Sequence, residues 1–391
     1  MLAVWLAVLA ALQLAPGGLT PGRRPGGFDP ATFDPLVRDG ITRGAYPGAV
    51  LVIGRRDTIL LARGYGHFTW SAQSRATDPD STIWDLASVT KVVATTTAMM
   101  LLVERGRVDL DAPASRYLPA FRAPGTAPVT VRQLLSHTSG LRSYLSLHTL
   151  APTRDSALRL VYAESPIAAP GSRVIYSDLN AILLGELVRQ VAGVPLDTFT
   201  TREIAAPLGW QRTAFRPPRA WQSRIVPTNL WRGHPIAGVV NDPNAHRLGD
   251  VAGHAGLFGT GSEVARFAQM MLAQGRLAGG RRLLRETTVR EFTAVAVPAA
   301  RGASARALGW QALPTDEEVS SAGTLLGPRT YGHTGWTGTS LWIDPDRDLF
   351  VLLLTNRSFA PRAQKPFTVL KEVRGRVADA AARASDVASA R

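Results

Sequence analysis

Ser88 and Lys91 stand three residues apart in an apolar and threonine-rich segment, LASVTKVVATTTAMMLLVE, at 86–104. On an α-helix this spacing places both side chains on one face, one turn apart. The same face continues with apolar residues as far as Leu102, so the lysine points into the protein. A buried lysine can shift toward its neutral form and help to remove the proton of a neighbouring serine hydroxyl. The pair therefore predicts a nucleophilic serine.

The use of lysine at position 91 supports this prediction. The chain has 44 basic residues, of which only Lys91, Lys365 and Lys371 are lysines. An arginine is not deprotonated in a protein, whereas a desolvated lysine can be. Backbone N–H groups at the start of the helix would also favour an oxyanion beside Ser88. The alternative is that Ser88 caps the helix and Lys91 extends to the surface.

Two later motifs offer partners for this pair. Tyr176, Ser177 and Asp178 directly precede a segment with helical periodicity, so the tyrosine hydroxyl can face a site at the start of that helix. The sequence YGHTGWTG, at 331–338, lies on a predicted strand whose glycines indicate the close approach of another backbone. The alternatives are a packing tyrosine and an ordinary helix cap in the first motif, and a bulge with a surface histidine in the second.

The other histidines raise the alternative of a metal site. His246 and His254 lie in a glycine-rich stretch near Asp242 and Asp250, but their spacing is not that of two ligands on one helix turn. A loop-shaping role is the preferred interpretation, and His137 is interpreted as structural. The chain has no cysteine, which excludes disulfides, thiolate metal sites and a cysteine nucleophile.

The order of the predicted helices and strands around these motifs indicates an α+β fold with strands at both ends of the chain. Hairpins are predicted at 48–66 and 339–356, and further strands at 305–313 and 329–335. Helical periodicity predicts helices at 88–105, 130–136, 155–162, 179–192, 196–206, 261–275, 283–293 and about 366–390. We therefore expect one antiparallel sheet built from both chain ends and flanked by helices, with a mostly helical region inserted.

The predicted domain organisation is a leader followed by one composite catalytic domain. Residues 1–27 are the leader and linker, 28–95 and 300–391 form the α/β sheet region, and 96–299 form the helical region. Residues 2–15, LAVWLAVLAALQLA, are typical of a secretory signal, so we expect an exported protein, periplasmic or extracellular. An uncleaved membrane anchor or a misassigned start is the alternative. We expect no transmembrane segment after the leader.

The net charge of +14 indicates anionic surroundings such as cell-wall polymers or anionic lipid. The arginines are scattered, however, with no basic run and no alternation of basic and aromatic residues. A solvated, arginine-rich surface is the preferred interpretation, and we expect no nucleic-acid partner.

Together the three motifs resemble S-x-x-K, S/Y-x-N and K-T-G of the serine β-lactamase and penicillin-binding-protein superfamily. The tyrosine of the second motif is similar to the class C β-lactamase branch, with its D,D-carboxypeptidase and esterase relatives. The resemblance covers roughly residues 30–360. It includes LLSHTSGL at 134–141, YSDLNAILLGELV at 176–188 and NDPNAHRLGDVAGHAGLFGTGSEVARFA at 241–268.

The resemblance implies a role for each residue of the three motifs. Ser88 would be the acylated nucleophile, Lys91 its proton partner, and Tyr176 the general base and then the acid toward the leaving group. The backbone N–H groups of Ser88 and Trp336 would form the oxyanion hole. The remaining substrate-binding residues that it implies are Asp178, His333, Thr334 and Gly335. It implies neither a metal nor an organic cofactor.

Two positions depart from the family motifs. Asp178 stands in place of the usual asparagine, and His333 in place of the lysine of K-T-G. Both changes remove positive potential or add negative potential near Ser88, and a neutral imidazole attracts an anionic group weakly. Ester or peptide-like substrates are therefore favoured over β-lactams, unless an arginine from elsewhere restores the charge.

The leading hypothesis is a secreted serine hydrolase, similar to a D,D-carboxypeptidase, that acts on cell-wall D,D-peptides or related amides and esters. Its partners would be a small peptide, ester or β-lactam-like substrate, and peptidoglycan. The enzymatic alternatives are a carboxylesterase and a weak class C-type β-lactamase. The alternative that is not an enzyme is a catalytically silent protein that binds cell-wall or β-lactam-like ligands.

Overall fold

The computed structural model describes residues 28–231, 233–316, 318–359 and 367–389. The predicted leader lies outside these residues, so its assignment stays a prediction. The strands of the described part are β1 (Gly48–Gly54), β2 (Ile59–Gly66), β3 (Ile83–Asp85), β4 (Ala214–Phe215), β5 (Asn229–Trp231), β6 (His234–Ile236), β7 (Leu257–Thr260), β8 (Gln311–Ala312), β9 (Tyr331–Thr334), β10 (Ser340–Asp344) and β11 (Leu349–Thr355).

Six of these strands form one antiparallel sheet in which the two ends of the chain meet. Their order is β2-β1-β11-β10-β9-β8. The first strand of the chain therefore pairs with the last, and Val52 lies opposite Leu352. The predicted α+β fold, with an antiparallel sheet from both chain ends, is confirmed.

The central strands are apolar along their whole length because both faces of the sheet are covered. Every residue of β1 and β11 is buried. Side chains alternate between the two faces of a strand. Leu51 and Leu353 thus pack with Val37 and Val377 in one core cluster, whereas Val52 packs in the larger cluster formed with the helical region.

Twelve α-helices cover the sheet and build the inserted region of the described chain. They are α1 (Pro30–Thr42), α2 (Thr97–Glu104), α3 (Val131–Leu135), α4 (Leu147–Leu150), α5 (Arg154–Tyr162), α6 (Asp178–Ala192), α7 (Leu196–Thr200), α8 (Ala206–Leu208), α9 (Pro243–Arg247), α10 (Gly261–Leu272), α11 (Glu286–Thr293) and α12 (Thr368–Ser389). A π-helix, Lys91–Thr96, leads directly into α2.

Each segment predicted to be helical contains a helix, but the inserted region is less purely helical than expected. It contributes to a second sheet with the order β3-β7-β4, and it contains the short pair β5-β6. These strands have two to four residues, too few to show a clear alternation. The strand predicted at 305–313 is reduced to Gln311–Ala312.

One described helical segment, Ala87–Glu104, has the length and hydropathy of a membrane span, and 83% of it is buried inside the protein. The bent pair formed by Asp178–Ala192 and Leu196–Leu208 passes the same test when it is taken as one span. A buried apolar helix is the ordinary core helix of a folded domain. This segment carries Ser88 and Lys91 at its start.

Candidate active site

Ser88 follows β3 on a tight turn. The preceding residue, Ala87, has a φ of 46°, in the left-handed region that residues with a Cβ rarely adopt. Ser88 then lies in a short 3-10 turn, Ala87–Val89, before the π-helix. Its half-buried side chain faces a cavity of about 660 Å³. The cavity lining includes Ser88, Tyr144, Tyr176, Arg306, His333 and Trp336.

Lys91 lies below Ser88, only 3% exposed, with three acceptors around its ammonium group. Its Nζ lies 2.8 Å from Ser88 Oγ, 3.2 Å from the carbonyl oxygen of His254 and 2.7 Å from Asp178 Oδ1. An ammonium group has three N–H bonds, so each can have one acceptor. The predicted contact between Ser88 and Lys91 is confirmed, and the alternative of a surface lysine is wrong.

Asp178 keeps Lys91 in its cationic form. Burial lowers the pKa of Lys91, but the negative charge of Asp178 and the contact with Tyr176 outweigh burial, and the pKa lies above its ordinary value. The expectation of a lysine shifted toward neutrality is therefore wrong, because it omitted the carboxylate at 2.7 Å. In the resting protein Lys91 donates a hydrogen bond to Ser88 and does not take its proton.

Tyr176 is held against this pair by the start of α6. Ser177, and not Asp178, is the cap of that helix and accepts a hydrogen bond from Asn180 N at 3.4 Å. His137 Nδ1 accepts from Ser177 N at 3.1 Å, and its ring lies 4.8 Å from the ring of Tyr176. Burial lowers the pKa of His137 well below its ordinary value, so the ring is neutral. His137, interpreted as structural, thus positions the tyrosine.

His333 faces Tyr176 from β9, with the two ring centroids 5.7 Å apart. Its Nδ1 lies 2.7 Å from the carbonyl oxygen of Thr334, and a carbonyl can only accept, so Nδ1 carries the hydrogen. Burial, together with the charges of Lys91 and Arg306, lowers the pKa of His333 to about 3. The neutral imidazole predicted at this position is confirmed. Its Nε2 is a buried acceptor without a hydrogen-bond partner among the described residues.

The loop after β9 lies directly against the turn of Ser88. Thr337 Oγ1 donates to the carbonyl oxygen of Asp85 at 2.8 Å, and Thr339 Oγ1 to that of Leu86 at 3.0 Å. A Cβ on Gly335 would lie 2.8 Å from the same Leu86 oxygen, so the close approach requires glycine. The oxyanion hole formed by Ser88 and Trp336 stays a prediction, and this contact between their two segments supports it.

Arg306 is an arginine from elsewhere in the chain that brings positive charge to the cavity. Its Cζ lies 5.2 Å from the ring centroid of Tyr176, and its side chain borders the cavity. Arg306 therefore supplies a positive charge near His333, the residue that stands where the family motif has lysine. The segment that carries it has no regular helix or strand, so no periodicity in the sequence distinguishes it from the other arginines.

Asp242 and His254 complete the surroundings of Lys91. His254 Nε2 and Asp242 Oδ1 lie 2.9 Å apart, while His246 pairs separately with Asp250 at 2.7 Å. Asp178, Asp242 and His254 offer possible metal ligands within 4.8 Å of one another. The Lys91 ammonium already lies against Asp178 and would repel a metal cation. The loop-shaping interpretation of His254 therefore remains the better one.

Comparison with known proteins identifies the family. The β-lactamase family model matches residues 33–374, a range that contains all three motifs. The chain belongs to the β-lactamase family. The family is one of serine hydrolases, so this protein is an enzyme of that class, and the resemblance to β-lactamases and penicillin-binding proteins is confirmed.

The proteins that are similar to this β-lactamase-family chain include some named as peptidases and some named as esterases. A Salmonella heidelberg (strain SL476) protein, provisionally named D-alanyl-D-alanine carboxypeptidase, is 29% identical over 353 residues, which cover 81% of this chain and 80% of the relative. A penicillin-binding protein homologue from Caulobacter crescentus has a TM-score of 0.71 at 22% identity, covering 90% of this chain and 98% of its own. A family VIII carboxylesterase has the same score and identity, covering 93% and 99%. The two structures show a shared fold.

Proposed function

We propose that this protein hydrolyses amide or ester bonds through an acyl-enzyme on Ser88. The observation that carries the proposal is the 2.8 Å contact between Ser88 Oγ and the buried Lys91 Nζ at the wall of the cavity. A serine hydroxyl in such a site can be activated by a base held next to it. The neighbouring group suited to that role is Tyr176.

The position of Lys91 supports the role of Tyr176 as the base. Two cations face the ring of Tyr176. Lys91 Nζ lies 5.0 Å and Arg306 Cζ 5.2 Å from the ring centroid. Lys91 therefore contacts Ser88 and also faces Tyr176, so it can relay a proton from one to the other.

The reaction then follows from these contacts. Tyr176, as the general base, takes a proton from Lys91 while Lys91 takes the proton of Ser88, so the ammonium is restored as Ser88 Oγ bonds to the substrate carbonyl carbon. Backbone N–H groups of Ser88 and Trp336 stabilise the tetrahedral oxyanion. Tyr176 gives its proton to the departing amine or alcohol. Water next attacks the acyl-enzyme, loses a proton to Tyr176, and releases the acid with Ser88 reprotonated.

Arg306 supports a substrate whose leaving group ends in a carboxylate, as in a D-Ala-D-Ala peptide. His333 is neutral and attracts an anion only weakly, whereas the guanidinium of Arg306 borders the same cavity. Arginine binds carboxylates through paired N–H donors. We therefore propose D,D-carboxypeptidase activity as the primary function.

Carboxylesterase activity is the second candidate, and the environment of Lys91 favours it. Asp178 places a carboxylate where the family motif has an amide, and the structure brings it to 2.7 Å from Lys91. The donor that an asparagine would offer to an amide-containing substrate is thereby lost. An ester with a neutral alcohol group needs neither that donor nor the charge of Arg306.

We expect Arg306→Gln to separate the two candidates. The change should lower kcat/KM for a D-Ala-D-Ala peptide by about tenfold to a hundredfold, because a charge-assisted hydrogen bond to the carboxylate is lost. Hydrolysis of a neutral p-nitrophenyl ester should change by less than about threefold. Arg301→Gln, at an exposed position five residues earlier, is the matched control. Equal losses on both substrates would contradict the carboxylate-binding role.

A substrate panel tests the proposed function itself. Purified protein is assayed with p-nitrophenyl esters, D-Ala-D-Ala peptides and nitrocefin, with Ser88→Ala as the control. We expect turnover of peptides or esters by the wild-type protein, and no turnover of any substrate in the panel by Ser88→Ala. Turnover by Ser88→Ala at the wild-type rate would contradict the mechanism. Binding without turnover across the panel would identify a silent binder.

We also propose that the protein is exported. The proposal is supported by the apolar segment at 2–15 and the Gly/Pro-rich stretch that follows it. Cell fractionation followed by N-terminal sequencing tests it. A cytoplasmic protein that retains Met1 would contradict export.

A further inference from the structure

The turn that presents Ser88 needs outside support. Ala87 holds a left-handed φ of 46° without being a glycine, and such a conformation persists only where the surrounding structure fixes it. Ser88 follows directly, so any relaxation of Ala87 would move the nucleophile. A displacement of about 1 Å at a reacting group can reduce the rate by about a hundredfold.

Asp85 supplies this support through both of its carboxylate oxygens. Its side chain is buried, with Oδ1 accepting from Ala87 N at 2.8 Å and Oδ2 accepting from Asn241 N at 2.7 Å. Asn241 and Asp242 also border the cavity. A single carboxylate thus joins the turn of the nucleophile to another wall of the site.

The backbone of Asp85 and Leu86 holds the loop after β9, which is a third wall of the cavity. The carbonyl oxygens of Asp85 and Leu86 accept from the hydroxyls of Thr337 and Thr339, both fully buried. Trp336, whose N–H belongs to the predicted oxyanion hole, lies just before them in the chain. Three segments distant in sequence therefore meet at residues 85–86.

We propose that Asp85 is a positioning residue whose ionised carboxylate sets the placement of Ser88 and of the 241–242 loop, and so controls the rate of acylation. This inference rests on the proposed acyl-enzyme function. Both oxygens must be acceptors, because each faces a backbone N–H. An amide would put a donor against one of these N–H groups and release it, and a protonated acid would weaken the hydrogen bond to its neutral hydroxyl oxygen.

Ionisation of Asp85 falls within the working range of an enzyme. The pKa of Asp85 is raised to about 6. Burial raises it most, the N–H groups of Asn241 and Ala87 lower it in part, and the charge of Asp242 raises it further. Asp242 is the charged group that faces it, from the 241–242 loop, whereas the loop after β9 contributes the uncharged Thr337. We therefore expect acylation to increase with pH through about 6, as the carboxylate forms.

The effect of Asp85 on stability has the opposite sign. Its folded pKa lies above its unfolded value, so the folded protein binds the proton more tightly than the unfolded chain does. The contribution of Asp85 to stability is therefore present at low pH and is lost as pH rises from 3.8 to about 6. If Asp85 had only a structural role, its ionisation would not increase activity over the pH range in which it decreases stability.

Asp85→Asn tests the proposal in the full-length protein. The rate of acylation by p-nitrophenyl acetate is followed from pH 4.5 to 8.5, and mass spectrometry verifies that the acetyl group lies on Ser88. We expect a limb with a midpoint near pH 6 in the wild-type protein. In Asp85→Asn that limb should disappear and the rate at pH 8 should fall about a hundredfold. The exposed Asp57→Asn is the control and should retain both the limb and the rate.

A second variant keeps the test decisive if Asp85→Asn does not fold. Thr337→Val removes the hydroxyl bond to the Asp85 carbonyl but leaves the carboxylate, so it should slow acylation and keep the limb near pH 6. The proposal would be overturned if Asp85→Asn acylated Ser88 with the wild-type rate and pH profile. It would also be overturned if Thr337→Val acylated Ser88 at the wild-type rate. Failure of the wild-type protein to acylate Ser88 would overturn the proposed function together with it.

Discussion

Lys91→Arg is expected to reduce acylation of Ser88 by about 1,000-fold or more. The reason is geometric, because the positive charge is kept. The Nζ of Lys91 makes three contacts at once, with Ser88, Asp178 and a backbone carbonyl, in a space that is almost closed to solvent. A planar guanidinium is larger than an ammonium and cannot reproduce this arrangement. It also cannot release the proton that the reaction passes through Lys91.

The matched control for this variant is Lys371→Arg, which makes the same change on α12. Acylation is measured as the pre-steady-state burst of p-nitrophenol, and circular dichroism monitors the fold. Overpacking at position 91 should cost about 1–3 kcal/mol of stability without unfolding the protein. Activity of Lys91→Arg within tenfold of the wild-type protein would show that Lys91 acts only as a positive charge.

Tyr176→Phe is expected to lower the acylation rate by about 1,000-fold, because it removes the base that takes up the proton of Ser88 through Lys91. The change deletes one oxygen and keeps the ring, which packs 4.8 Å from His137 and 5.7 Å from His333. The fold and the position of α6 should therefore be preserved. Substrate binding, measured as KM for an ester, should change much less than kcat.

Tyr162→Phe removes a tyrosine hydroxyl on α5 and is the control. It should leave kcat unchanged. A kcat of Tyr176→Phe within a few-fold of the wild-type value would assign the role of base to another group. Among the described neighbouring groups, the candidate would be His333, because its Nε2 is an acceptor without a hydrogen-bond partner.

The fold was largely predictable from the sequence because its main elements carry strong patterns. The strands Gly48–Gly54 and Leu349–Thr355 are continuous apolar runs, and a helix such as Asp178–Ala192 has clear periodicity. The short strand Leu257–Thr260 was missed because its pairing depends on contacts that are distant in sequence. Local patterns do not report such contacts.

The catalytic pair was predictable for a different reason, since Ser88 and Lys91 are neighbours on one helical face. The protonation state of Lys91 was not predictable, because it depends on Asp178, which lies 87 positions further along the chain. Arg306 and Asp85 were missed for the same reason. Their roles arise from the cavity and from the hydrogen bonds that the fold brings together.

The most direct test of the mechanism is the site of the covalent adduct. Wild-type protein is incubated with a fluorophosphonate or a fluorescent penicillin, digested, and examined by mass spectrometry, with Ser88→Ala in parallel. We expect the added mass on the peptide that contains Ser88, stoichiometric for the fluorophosphonate, and no labelling of Ser88→Ala. An adduct on another residue, or equal labelling of Ser88→Ala, would contradict nucleophilic catalysis by Ser88.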